Sequence, residues 1–139
     1  MGKVYADIAV TNGDDEVLSA RSMLGPEDVR SVNLAQVLVD TGATLLSLPK
    51  DLIERLGLRL GDEVTVQTAT GTTVARRFRN AVLTVEGRTG TFDCLELPGG
   101  TSPLLGVVPM ETLGLVPDIH AERLRLLPEK GDDTYLTIL

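Results

Sequence analysis

The sequence predicts a mainly β fold of closed, strongly curved sheets with one or two short helices, and three observations carry that prediction. Apolar and polar residues alternate in short runs, glycine-bearing turns separate the runs, and only two stretches have the proline start and glycine stop of a helix. With 139 residues, 42% of them hydrophobic, the chain suits one domain over residues 1–139 whose core needs neither metal nor disulfide. Two lobes of about 100 residues each would not fit.

Val4, Ala6, Ile8 and Val10 alternate with Tyr5, Asp7 and Ala9 as a half-buried strand that ends at the turn Asn12-Gly13-Asp14. Residues 17–23 suit an antiparallel return, and Gly25-Pro26-Glu27-Asp28 a loop. Ala35-Gln36-Val37-Leu38-Val39 then runs as an interior strand into the tight turn Asp40-Thr41-Gly42. Leu45-Leu46-Ser47-Leu48 is the next strand, followed by a two-turn helix over residues 49–56 that starts at Pro49 and stops at Gly57. Residues 64–68 and 73–78 flank Ala69-Thr70-Gly71-Thr72 as a hairpin with glycine near its tip. Residues 80–85 and 91–97 form a second hairpin around Glu86-Gly87-Arg88-Thr89-Gly90. A loop over residues 98–103 leads to Leu104-Leu105-Gly106 and a second helix over residues 107–113, with Pro109 in its first turn and Gly114 as its stop. Leu124, Leu126 and the tail Tyr135-Leu136-Thr137-Ile138-Leu139 read as closing strands.

Composition narrows the function. A net charge of −7 repels phosphate backbones, which argues against nucleic acid and anionic lipid as partners. No apolar run approaches the ~18 residues of a membrane span and the first residues lack a signal peptide's apolar core, so a cytoplasmic protein is expected. Cys94 is the single cysteine and reads as a small buried hydrophobe in a strand. With His120 as the single histidine, a Cys/His zinc cluster cannot be assembled, and since His120 reads as a surface loop residue a Ser/His or Cys/His nucleophile with Ser47 or Cys94 is not expected. No metal and no cofactor is expected. Arg76-Arg77-Phe78-Arg79 reads as a solvated strand face, or else as a rim contact for an acidic substrate or partner. Asp14-Asp15 and Asp132-Asp133, beside glycines, read as turn chemistry.

The informative stretch is Val37-Leu38-Val39-Asp40-Thr41-Gly42-Ala43-Thr44, where an acid follows three buried-looking hydrophobes and precedes a hydroxyl and a glycine. Burial raises a carboxyl's pKa unless partners hold the charge. Gly42 lets the backbone turn tightly and bring amide N–H groups to the carboxyl, and the Thr41 hydroxyl can brace the turn. Average residue usage places Asp-Thr-Gly by chance at roughly one position in 5,000, so the tripeptide counts only with its context. That context is the apolar run before it, the small residue after it, and Leu104-Leu105-Gly106 far downstream.

On these residues, across roughly 35–127, the chain resembles the retropepsin-like aspartic proteases, especially their bacterial single-domain members. The resemblance implies the single-lobe acid protease fold and an aspartic endopeptidase in which Asp40 is catalytic. Thr41, Gly42 and Ala43 would then support the catalytic loop, with Thr41 bonded to its mate across a two-fold axis. Leu104, Leu105 and Gly106 would form a strand crossing behind that loop and packing on its glycine. The hairpin over residues 65–78 would be a flap, with Ala69, Thr70, Gly71 and Thr72 at its tip, closing over an extended peptide. In this family two aspartates share one proton and hold a water. Because Asp-Thr-Gly occurs once, Asp133-Thr134 being followed by Tyr135, the second aspartate would come from a homodimer. The chain departs from the retroviral pattern in its lone flap glycine, in Val107-Val108-Pro109 after Gly106, and in a longer segment before Ala35; Leu113-Gly114-Leu115 with Asp118 is closer to bacterial relatives.

Two other readings stand beside this one. A retropepsin-like fold can serve as a catalytically silent dimerisation or peptide-binding module. Residues 48–64 also resemble the swapped-hairpin DNA-binding domains of AbrB type, although Lys50, Arg55 and Arg59 are outnumbered there by Asp51, Glu54, Asp62 and Glu63, the wrong sign for DNA.

Overall fold

The fold is that of a computed structural model, which describes residues 2–128. Strand β1 (Tyr5–Asn12) has the predicted alternation, with Ala6, Ile8 and Val10 buried and Tyr5 and Asp7 exposed. It pairs antiparallel with β2 (Ser31–Val39) and also with β5 (Gly71–Val85). The antiparallel return expected over residues 17–23 does not form, because Gly13–Ala20 is a helix, α1. Asn12 caps it by accepting the Asp15 N–H on Oδ1 at 3.0 Å, and Asp14, Asp15 and Glu16 set negative charge against the positive helix end. Asn12-Gly13-Asp14 is therefore a helix start, and Pro26–Asp28, read as loop, is one turn of 3-10 helix. Nor is Asp15 a turn residue: it is buried and bound by Arg30 through Nε at 2.8 Å, Nη2 at 3.0 Å and the main-chain N–H at 3.1 Å.

Strand β3 (Leu46–Pro49) is wholly buried and runs into helix α2 (Lys50–Leu56), which turns Leu52, Ile53 and Leu56 to the core. Gly57 ends it at φ 63°, a left-handed conformation that glycine adopts without steric cost. Strands β4 (Arg59–Thr68) and β5 form one long hairpin in register as far as Thr68 and Gly71, so Ala69 and Thr70 make the turn. The two predicted hairpins share β5, which continues through a bulge at Asn80 (φ 59°), where its register on β6 (Arg88–Leu97) shifts between Phe78 and Ala81.

Strand β7 (Leu104–Leu105) is inserted between two strands that are consecutive in sequence. It lies parallel to β2, with Leu38 beside Leu104 and Val39 beside Leu105, and antiparallel to β3 through Ser47 and Leu104. Helix α3 (Val107–Leu113) follows, stopped by Gly114 at φ 67° with Arg88 Nη1 donating to the carbonyls of Leu113 and Gly114, both at 2.9 Å. The strand order is β1-β2-β7-β3-β6-β5-β4, and the β1–β5 pairing draws the sheet into a nearly closed ring. Inside it Val10, Leu46, Leu48, Leu56, Leu83, Val85, Cys94 and Leu105 are fully buried. Strands β8 (Leu115–Asp118) and β9 (Arg123–Leu126) form a separate two-stranded sheet that holds Leu124 and Leu126. The predicted strand over residues 135–139 and the pair Asp132-Asp133 lie outside the described residues. Residues 48–64 are absorbed into this sheet as the end of β3, α2 and the start of β4, so they are not a free swapped hairpin. No helix among the described residues is long and apolar enough to cross a membrane.

Candidate active site

Asp40 is the first residue beyond β2, at the point where the chain leaves the sheet. Its N–H donates to the Leu105 carbonyl at 2.9 Å, its carbonyl accepts the Ala43 N–H at 3.1 Å, and its Oδ1 accepts the Gly42 N–H at 2.9 Å. The carboxyl is half-buried and held at one oxygen, while Thr41 and Gly42 are exposed and Ala43 is half-buried. A Cβ at Gly42 would sit 3.2 Å from Asp40 Oδ1, close enough that a larger residue there presses on the carboxyl.

Strand β7 and the start of α3 bond to the Asp40 loop, and the close-packed glycine is not the expected Gly42. Val107 and Val108 open α3, and their N–H groups, which no helical carbonyl can satisfy, donate to the carbonyls of Ala43 and Thr44 at 2.9 Å each. Strand β7 and the start of α3 thus hold residues 40–44 from outside through main-chain bonds. Gly42 is not packed by this strand, since Asp40 Oδ1 is the one atom a Cβ there would meet within 4 Å. The packing glycine is Gly106, where a Cβ would lie 2.5 Å from the Leu45 carbonyl oxygen and 2.7 Å from that of Ala43.

Ala69, Thr70, Gly71 and Thr72 are all exposed at the end of the β4–β5 hairpin. Thr68 braces the turn, its Oγ1 donating to the Gly71 carbonyl at 3.0 Å and accepting the Thr70 N–H at 3.3 Å. Among the described residues no hydrogen bond joins this tip to the Asp40 loop. Between the hairpin and the end of β6 lies a groove of about 400 Å³, lined chiefly by apolar groups of Val66, Thr73, Ala75, Leu95, Leu97 and Pro98, with Lys50 and the Arg76–Glu96 pair at its edge. These walls were not singled out from sequence; the alternation along β4 and the apolar end of β6 are the signals that could have found them.

Other residues of interest fall away from chemistry. Cys94 is buried in β6 as expected, its thiol pushed up to about 12 by loss of solvent. His120 is exposed on the turn between β8 and β9. The arginine cluster is not a freely solvated face: Phe78 is buried, Arg76 pairs with Glu96, Arg77 with Asp62 and Arg79 with Asp93. Among the described residues no group of three His, Cys, Asp or Glu side chains is placed to hold a metal ion. No curated protein matches the chain. The sequence pattern of the aspartyl proteases, by contrast, matches residues 28–109, more than half of it and a span containing Asp40-Thr41-Gly42, the hairpin and Gly106. A β-ring in which an aspartate turn is braced by an inserted strand, together with that match, places the chain in the aspartyl protease family, of the retropepsin-like kind.

Proposed function

We propose that the chain is an aspartic endopeptidase, working as a homodimer, in which Asp40 and its symmetry mate hold the water that hydrolyses a peptide bond. The observation that carries this reading is the Asp40 carboxyl itself: half-exposed, positioned through Oδ1 by the Gly42 N–H, and set on a turn whose next two residues are open to solvent. One Asp-Thr-Gly per chain means that the second carboxyl comes from a second copy. Exposed Thr41 is available to brace the paired loops.

Two carboxyls facing one water cannot both ionise, so the pair carries a single proton and titrates as a unit. The ionised member takes a proton from the water as it attacks the scissile carbonyl, and the protonated member polarises that carbonyl's oxygen. The pair then returns a proton to the leaving amine. The β4–β5 hairpin serves as the flap over an extended peptide, and the apolar groove beside it favours hydrophobic side chains.

The test compares wild type with Asp40→Asn on a mixed peptide library while sedimentation follows the dimer. Cleavage by wild type, lost in an Asp40→Asn protein that still dimerises, supports the reading, together with an acidic limb in the rate profile between about pH 3 and 7. Peptide binding without cleavage in either protein would leave the silent module as the answer.

A further inference from the structure

The arginine cluster of β5 stands where the hairpin leaves the sheet. Toward the tip, β5 stops pairing with β6 at Arg77, opposite Leu95, and β4 pairs with β5 alone. Residues 63–76 are therefore an arm whose main-chain strand pairing is with itself alone. Consecutive strand residues point to opposite faces, so Arg76 and Arg77 grip the two sides of this junction. On one face Arg76 makes a two-pronged bond to Glu96 of β6, at 2.9 and 2.7 Å, with its guanidinium 5.2 Å from the centre of the buried Phe78 ring. On the other, Arg77 makes the same fork to Asp62 of β4, at 2.9 and 2.7 Å, and lies 3.9 Å from Asp93 of β6. Arg79 closes this second set, 2.7 Å from Asp93 and 3.5 Å from Asp62.

Planar two-pronged bonds resist rotation in a way a single contact does not. We propose that Arg76 and Arg77 form a two-sided clamp that fixes the angle at which the arm leaves the sheet, and that Arg77 is thereby a positioning residue for substrate closure. The second half rests on the endopeptidase reading; the first does not. Each arginine is partly exposed, so the clamp biases the arm without locking it.

Hydrogen exchange on the full-length protein tests the first half. In Arg77→Met, amides of residues 63–76 exchange about five-fold faster, Arg77→Lys lies between, and amides of β1 and β2 are unchanged. Unchanged exchange in the arm of a folded Arg77→Met protein overturns the clamp. Should that variant fail to fold, Asp93→Asn, which removes the contacts of Arg77 and Arg79 with β6, decides: faster exchange over residues 63–76 supports the clamp, and unchanged exchange there overturns it. Peptide kinetics test the second half: KM rises about five-fold in Arg77→Met with kcat nearly constant, and Arg77→Lys restores part of it. Faster exchange with unchanged KM overturns the link to closure. A wild type that cleaves nothing sinks the endopeptidase reading and the link with it, while the exchange data still decide the clamp.

Discussion

Replacing Gly106 with alanine tests whether the Asp40 loop is held as tightly as its bonding indicates. Gly106 has φ −97° and ψ −173°, an extended conformation open to any residue, so the cost of the substitution is steric alone. The new Cβ would fall 2.5 Å from the Leu45 oxygen, 2.7 Å from the Ala43 oxygen and 2.8 Å from the Thr44 carbonyl carbon, all main-chain atoms that no rotamer change can move. Reaching an ordinary C···O separation of about 3.3 Å requires residues 43–45 and β7 to part by roughly 0.8 Å. That strains the Val107–Ala43 and Val108–Thr44 bonds, each 2.9 Å long, and with them the Asp40–Leu105 bond. Overpacking and weakened bonds together cost about 3 kcal/mol, a fall of about 10 °C in Tm for a domain of this size. The control is Gly99→Ala, exposed and with no atom within 4 Å of its Cβ, which stays within about 0.5 kcal/mol of wild type. Thermal unfolding followed by circular dichroism reads both. On the endopeptidase reading, whose geometry is sensitive to shifts of this size, peptide cleavage by Gly106→Ala also falls, by about 100-fold. A Tm within about 2 °C of the Gly99→Ala protein refutes the packing argument.

Asn12→Ala removes the α1 cap and the Nδ2 donor to the carbonyls of Leu56 and Gly57, at 2.8 and 3.1 Å, so the urea midpoint drops by the equivalent of about 2–3 kcal/mol; an unchanged midpoint would show these bonds to be dispensable. Arg30 holds the Asp15 carboxyl below its ordinary 3.8, with Asp14 and Asp62 lowered likewise by Arg59 and Arg77. Below 3.8 the unfolded chain takes up protons before the folded one, so stability complete above that pH is lost as pH falls through the folded values, and Asp15→Asn flattens this acid loss; parallel curves would contradict it. Cys94 stays unmodified by a thiol reagent at about pH 8 in the native protein and reacts on unfolding, whereas native labelling would mean that β6 opens.

The sequence by itself determined what depends on neighbours along the chain. Period-2 alternation located β1, the apolar run before Asp40 located the end of β2, proline and glycine bounded α2 and α3, and Asp40-Thr41-Gly42 marked the turn on which the proposed catalytic carboxyl sits. The start of α1 is also encoded locally, in the cap Asn12 and the acids after it, a signal that the reading of Asn12-Gly13-Asp14 as a turn missed. Tertiary structure alone decided which elements meet. Nothing near residue 106 in sequence says that its missing side chain makes room for the Ala43 and Leu45 carbonyls, or that α3 spends its free N–H groups on the Asp40 loop. Nor does the run of arginines reveal that Asp62, Asp93 and Glu96 close over it from two other strands. Strand pairing and ion pairing join residues far apart along the chain, and their partners are selected by the three-dimensional register of the sheet, which short-range patterns do not encode.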